Sequence, residues 1–441
     1  MALRTFEESD SEYELAQQRP PSKRLIRQIL DTLRYPNALL VVAALTIKPW
    51  FQSKFADDQI LRNREWKSGQ PVLLVGLWEK GEVRSDVSRL LKLAKKQGAY
   101  VVGVNTSRLS NPTSGEDLFD LYIERFNYGR DFGSYKTGIL RIHKQIGLSN
   151  IPRLVLLNDS VFYLEKETPE FLDKMLSSTI DVLGATENFE IRRHLGSFAI
   201  SIGNSVLSNP KFLNFWQKYR LSDLRTRVIR TGEMNLTKVL EKCATSDNQF
   251  DAIYTVKSVS QFLQSDLKNI DTALALTTHS RNHWRKLTMR QVLEAWRQRN
   301  LYTVTNLNSS TQINTDSSLD TVSAPTTLVA AQKELSRLYP SVDKKAVAAE
   351  IRELTIGALL LTCVSGSQVH QNGLLFHQLG SPLVKLDVIY RGTWSYEDAE
   401  KLMTSISVSD KVELSRLLYS RAYGEDVLRG WRRAAFMRGI I

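Results

Sequence analysis

Short apolar runs that alternate with helix-spaced segments constrain this chain most. VLLVGLW (Val72 to Trp78), YVVGVN (Tyr100 to Asn105) and RLVLL (Arg153 to Leu157) are apolar at consecutive positions, as strands are when helices cover a sheet on both faces. LFDLYIERF, from Leu118 to Phe126, reads as a further strand. Between them Val87, Leu90, Leu91 and Ala94 mark one helix, and Tyr135, Ile139, Ile142 and Ile146 trace one face of another. Thr168 with Pro169 and Asn209 with Pro210 read as cap and first-turn pairs that open two more. The alternation predicts an α/β fold with a mostly parallel sheet sandwiched by helices. Ligands on such sheets bind beyond the carboxyl ends of the strands.

Four regions are expected. Residues 1–66 hold a polar tail and a basic amphipathic helix, in which Leu25, Ile26, Ile29, Leu30 and Leu33 share a face flanked by Lys23, Arg24, Arg27 and Arg34. Residues 67–268 carry the α/β pattern, 269–327 a basic helix with Trp284 and Trp296 and then a polar low-complexity stretch, and 328–441 a mainly helical region. Within the last, PLVKLDVIY (Pro382 to Tyr390) is strand-like. The most apolar run, Ala38 to Ile47, has ten residues, against the ~20 that span a bilayer. No signal peptide is visible, and the two cysteines, Cys243 and Cys363, form no C-x-x-C pair; a reducing cytosol is the expected compartment. The basic first helix admits two readings, contact with an anionic inner membrane face or packing on its own domain.

Two loops at strand ends carry the chemistry. RFNYGRDFGSYKTGI (Arg125 to Ile139) joins a strand to a helix through three glycines, an asparagine, an aspartate and a lysine. Gly129 and Gly133 would let backbone approach a ligand, the helix start would offer N–H groups to phosphate oxygens, and Lys136 would add a positive charge. Asn127 and Asp131 suit sugar hydroxyls. RLVLL runs directly into Asn158, Asp159 and Ser160, where Asp159 could hold a divalent cation that bridges a diphosphate. If the two strands are parallel neighbours, both loops share one rim. Taken singly, either loop is explained as well by turn chemistry, since Gly, Asn and Asp turn and cap chains everywhere. A net charge of +12 favours an anionic partner, be it a phosphorylated small molecule, a phospholipid surface or nucleic acid.

These residues resemble a known family. The series N-x-G-x-D-x-G-S-x-K-x-G (Asn127 to Gly138), then LLNDSVF (Leu156 to Phe162), GATEN (Gly184 to Asn188), HLGSFAISIGNSVLSNPKFLNFW (His194 to Trp216) and GEMNLTKVL (Gly232 to Leu240) is similar to the rhamnan synthesis protein F family. The resemblance covers roughly Val72 to Val256, and QNGLLFHQLGSPLVKLDVI (Gln371 to Ile389) is similar to the family's downstream G-x-P-x-x-K segment. It implies a GT-A-like (Rossmann-like) glycosyltransferase of bacterial cell-surface polysaccharide synthesis. The donor it suggests is dTDP-L-rhamnose, with a hexosyl (rhamnosyl) transfer, inverting, to a glycan or lipid-linked acceptor. The enzyme would be cytoplasmic or peripheral on the inner face of the plasma membrane, with no nucleic acid partner.

Carried over residue by residue, the resemblance makes Asn127, Gly129, Asp131, Gly133 and Lys136 a donor loop. Asn158, Asp159 and Ser160 stand where family 2 glycosyltransferases have D-x-D, which leaves one carboxylate, Asp159, for Mg²⁺ or Mn²⁺. Lys136 and nearby arginines are the alternative source of charge. Glu233 stands at the acidic position near the acceptor and is the first candidate for general base; its other reading is favourable placement in the first turn of a helix. His194, near Ser197, is the second candidate, as a phosphate contact or an acceptor-side group. A different class also fits: a non-catalytic binding or scaffold protein whose basic surface and Trp-bearing helix engage nucleic acid or a partner. The sequence has no G-x-x-x-x-G-K-[ST], H-E-x-x-H or G-x-S-x-G, so no motif supports a P-loop NTPase, a zincin or an α/β-hydrolase.

Overall fold

The computed structural model describes residues 47, 49–53, 55–110, 117–189, 192–277, 289–296, 298, 327–338, 343–364, 367–390 and 394–419. The basic helix expected near residues 23–34, the apolar run at 38–46 and the polar stretch at 305–326 lie outside them. No helix among the described residues is long and apolar enough to cross a membrane.

Strands β1 (Gln59–Asn63), β2 (Val72–Leu77), β3 (Tyr100–Asn105), β4 (Leu121–Glu124), β5 (Arg153–Asn158), β7 (Val182–Asn188), β9 (Ala199–Gly203) and β10 (Phe250–Tyr254) lie in the order β1-β4-β3-β2-β5-β9-β7-β10. β4, β3, β2, β5, β7 and β10 all run one way. Only β1 and β9 on this path oppose them. β8 (His194–Leu195) pairs antiparallel with β7, and β1 draws residues before position 67 into the sheet.

Strand alternation explains why the runs are apolar throughout. Leu73, Val75 and Leu77 of β2 face one core layer with α1 (Ser85–Lys96), through its Val87, Leu90, Leu91 and Ala94. Val72 and Leu74 face the other, with Tyr135, Ile139 and Ile142 of α2 (Arg130–Gln145). Each fully buried leucine or valine adds about 1.5–3 kcal/mol relative to exposure. The first layer continues into the C-terminal region: Met289, Trp296, Leu335, Val347, Ile351, Leu375 and Phe376 all belong to it. Trp296 is therefore core, and its indole N–H donates to Glu350 at 2.8 Å.

Several expectations need correction. The third predicted strand is short, Leu121–Glu124, because Leu118 and Phe119 pack into the core ahead of it. Thr168 is inside its helix, α3 (Thr168–Ser177), and its hydroxyl bonds back to Leu164 O rather than capping, whereas Asn209 caps as expected by accepting from Lys211 N–H. PLVKLDVIY divides into β11 (Leu383–Lys385) and a short helix, Leu386–Tyr390. β4 and β5 are not neighbours; β3 and β2 lie between them.

The rim still forms. Leu77, Asn105, Glu124 and Asn158 close their strands at nearly one level. Because β9 opposes β5, with Ala199 against Leu157, the loop before β9 returns to the same edge. β11 pairs antiparallel with β6 (Val161–Tyr163), just past Ser160, and carries the distant C-terminal segment to the rim.

Candidate functional site

Two adjoining cavities open on this rim. The larger, about 780 Å³, lies beyond β2, β3 and β5; the smaller, about 140 Å³, lies between β7, β8, the loop before β9 and the segment from Ser367 to Asp387. Arg130, Asp131, Ser160 and Asp387 line both.

The loop into α2 reaches this junction by an unusual backbone. Gly129 has φ +94° and Arg130 has φ +52°, and a left-handed arginine is a strained choice that persists only where its surroundings fix it. Asp223 fixes it here by accepting the Gly129 N–H at 2.7 Å. Asp131 then accepts from Asn158 Nδ2 at 2.6 Å, Ser160 Oγ donates to Asn158 Oδ1 at 2.6 Å, and Lys385 Nζ donates to Ser160 Oγ at 2.6 Å. A single hydrogen-bond chain thus ties the α2 start, the β5 end and the C-terminal segment.

In the larger cavity Asp159 accepts the Trp78 backbone N–H, and its own carbonyl takes Arg84 Nη1 at 3.0 Å. Arg84 also grips Asp86 with two bonds, at 2.6 and 3.0 Å, and Val161 O at 2.7 Å. Its charge is thereby committed chiefly to Asp86. Glu79 receives little of it: Arg84 Nη1 is 3.8 Å away, and Glu79 Oε1 is buried without a hydrogen-bond partner. Burial, then the nearby Asp159, push the Glu79 carboxyl up to about 8 against the partial relief of Arg84. Asp159 is raised to about 6, chiefly by burial; Arg84 and the Trp78 N–H oppose that and Asp131 adds to it. Two carboxyls pushed toward protonation by burial flank this space.

The smaller cavity holds the other acid. Glu233 ends a π-helical turn (Val228–Glu233) and caps α5 (Met234–Cys243), a local widening of the helix that often marks functional sites. Its Oε1 accepts from Ser197 Oγ at 2.9 Å, and its Oε2 is 3.7 Å from His194 Nε2. His194 Nδ1 meets Arg192 O at 2.8 Å, so the ring is held edge-on to the carboxylate. Across the cavity Asp387 pairs with Arg225 at 3.0 Å and lies 3.7 Å from His370 Nε2. Burial opposes Asp387 ionisation, yet His370, Arg225 and Lys385 outweigh it and hold the carboxyl well below its usual range.

Asn127 and Asp159 therefore face the larger cavity, Asn158, Ser197, His194 and Glu233 the smaller, and Asp131 and Ser160 both. Lys136 does not join them: its ammonium donates to Gln217 O at 3.0 Å and Tyr219 O at 2.7 Å. Gly133 lines neither cavity. A Cβ there would stand 2.7 Å from Arg125 Nη1 and Tyr128 O, so the glycine serves loop packing. Gly129 serves the turn that presents Arg130. Sequence reading passed over Glu79, Arg84, Arg130, Arg225, His370 and Asp387. Glu79 had a usable signal, as a carboxylate two residues past the first strand of the βαβ unit, and Lys385 closes the G-x-P-x-x-K segment.

Residues 101–304 match the family model described as rhamnan synthesis protein F, and the resemblance seen in the motifs is borne out over that stretch. The uncharacterized protein y4gN of Sinorhizobium fredii (strain NBRC 101917 / NGR234) is 31% identical over 189 residues, 42% of this chain and 49% of that protein. The virulence protein VirA of Vibrio anguillarum (strain ATCC 68554 / 775) is 27% identical over 121 residues, 26% of this chain and 38% of its own. The chain thus spans about half the length, or less, of these curated relatives. Among solved structures, the glycosyltransferase GlyE of Streptococcus pneumoniae TIGR4 aligns over 65% of this chain and 64% of its own, at 10% identity and a TM-score of 0.24. A likeness at that score carries no argument.

Proposed function

We propose that this protein is a glycosyltransferase that moves a sugar from a nucleoside diphosphate to an acceptor hydroxyl with inversion, for bacterial surface polysaccharide synthesis. The family match over residues 101–304 supports the polysaccharide context and makes dTDP-L-rhamnose the first donor to test. The observation that carries the reading is the paired cavity. A space of about 780 Å³, in the usual range for a small-molecule site, opens at the strand ends onto a smaller one that holds a carboxylate.

In this reading the sugar nucleotide fills the larger space, with its diphosphate toward the α2 start, where Arg130 and backbone N–H groups face it. Glu233 takes the proton of the acceptor hydroxyl as that oxygen attacks the sugar carbon and the bond to the diphosphate breaks. Ser197 and His194 orient the Glu233 carboxylate as positioning residues. Among the described residues no group of three His, Cys, Asp or Glu side chains could hold a metal ion unaided. Asp159 and the unsatisfied Glu79 nevertheless fit a divalent cation whose shell the donor phosphates complete. Such a cation, Mg²⁺ or Mn²⁺, would supply charge neutralisation to the diphosphate. Peripheral contact with an anionic membrane, where a lipid-linked acceptor resides, belongs to the same reading.

The test is calorimetric titration of the full chain with dTDP-rhamnose, UDP-sugars and GDP-sugars, with Mg²⁺, with Mn²⁺ and with EDTA. Saturable binding of one donor, weakened by Asp131→Ala, supports the reading. If the folded protein binds none of them, it is not a sugar-nucleotide enzyme.

A further inference from the structure

One wall of the smaller cavity is built from chain outside the matched stretch. Val369, His370, Lys385 and Asp387 come from the C-terminal region and face Glu233 and Ser197 across it. At about 140 Å³ it has room for about five waters at ~30 Å³ each, the scale of a single sugar ring rather than an oligosaccharide or a nucleotide.

Its charges are matched internally. Arg130, Arg225 and Lys385 face Asp131, Glu233 and Asp387, with Arg225 on Asp387 at 3.0 Å and Lys385 linked to Asp131 through Ser160 and Asn158. A ligand with net charge would upset that balance, whereas one rich in hydroxyls can donate to the carboxylates and accept from the cations without cost in net charge. One polar atom can take such a partner: His370 Nε2 is buried with no hydrogen bond, its nearest charge Asp387 at 3.7 Å, while its Nδ1 is held by Ser367 Oγ at 2.6 Å. Burial, aided by Lys385 and Arg225, favours the neutral imidazole against the opposing pull of Asp387. Phe198 contributes an aromatic wall, with Lys385 Nζ 5.2 Å from its ring centroid.

We infer that this cavity is a subsite for one uncharged pyranose ring of the acceptor, in which His370 and Asp387 read ring hydroxyls and present another to Glu233. The C-terminal segment is then the specificity wall of the enzyme. The inference rests on the glycosyltransferase reading, and its test separates the two.

Saturation-transfer NMR on the full chain uses methyl glycosides of neutral hexoses and 6-deoxyhexoses, glucuronic acid and glucose 1-phosphate as probes, with dTDP, UDP or GDP titrated separately. Neutral glycosides should bind saturably, with dTDP or an intact sugar nucleotide present. His370→Ala should weaken them at least tenfold, His370→Gln should restore part of that, and both variants should keep nucleoside diphosphate affinity within twofold. Tighter binding of the charged sugars, or glycoside binding indifferent to His370→Ala, would overturn the inference. So would diphosphate binding with no glycoside binding, or glycosides displaced by the intact sugar nucleotide but not by dTDP, since the ring would then be the donor's. Failure of both diphosphate and glycoside to bind removes the glycosyltransferase reading as well.

Discussion

The two cavities share a wall but differ in how their charges are met. Each carboxylate that lines the smaller one, including Asp131 and Asp387 on the shared wall, has a neighbour that satisfies it: Arg225 for Asp387, Ser197 for Glu233, Asn158 for Asp131. In the larger one Arg84 is taken up by Asp86, and two other acids are pushed toward protonation, Glu79 by burial and Asp159, and Asp159 by burial and Asp131. A protein tolerates unmet buried charge where a ligand completes the balance. In the proposed reading, the contrast is why the diphosphate is put in the larger space and an uncharged sugar in the smaller.

The contrast breaks most visibly at Glu233. Glu233→Gln keeps the Ser197 hydrogen bond but cannot accept a proton. Transfer is expected to fall about 10²–10⁴-fold, the usual worth of general base catalysis, with sugar-nucleotide affinity unchanged. Initial rates beside a calorimetric titration measure both. A parallel loss of rate and affinity would place the carboxylate on the donor side and merge the two halves. Next in size is Asp159→Asn, which retains an acceptor for the Trp78 N–H. Diphosphate affinity with Mg²⁺ or Mn²⁺ should drop at least about tenfold, equivalent to ~1.4 kcal/mol, and the drop should vanish in EDTA. An equal drop in both would mean that arginines alone carry the charge.

Glu79→Gln tests the unmet charge through stability. The folded-state value near 8 lies above the ordinary 4.5, so between them the folded protein holds more protons than the unfolded chain, and stability falls as pH rises through that window. The glutamine variant should be more stable than wild type by about 1–3 kcal/mol at pH 8.5, and the gain should shrink toward zero by pH 4.5. Denaturant melts at three pH values suffice. A gain independent of pH would show that the carboxyl is not strained.

Much of this was legible beforehand. Apolar strand runs announced the βαβ core because burial on both faces leaves no freedom of composition, and Asn158, Asp159, Ser197 and Glu233 were all named from their motifs. What sequence could not convey was distance across the chain. His370 and Asp387 are brought to the smaller cavity by a segment that is tied to the rim through β11 pairing with β6, and a three-residue pairing has no periodicity to read. Glu79 is a different case: its place two residues past a strand was readable, but its lack of a hydrogen-bond partner shows only once Arg84 is seen to be spent on Asp86. Lys136 lies away from both cavities for the converse reason. Its spacing from Gly133 suited a phosphate loop, but once α2 forms, the position points along the helix flank toward the end of α4 (Pro210–Lys218).

That position supplies the smallest and sharpest prediction. Lys136 donates to Gln217 O and Tyr219 O, the carbonyls freed as α4 ends, where a cation is favourable to the helix terminus. Lys136→Ala should therefore lower stability by about 1 kcal/mol, the worth of a partly exposed charged hydrogen bond, and leave diphosphate affinity within twofold. Lys136→Arg should recover part of the stability, since a guanidinium can reach the same carbonyls. A tenfold loss of diphosphate affinity with unchanged stability would return this cation to the cleft. The charge deficit at Glu79 and Asp159 would then have a nearby remedy, and the distinction between the two cavities would lose its physical basis.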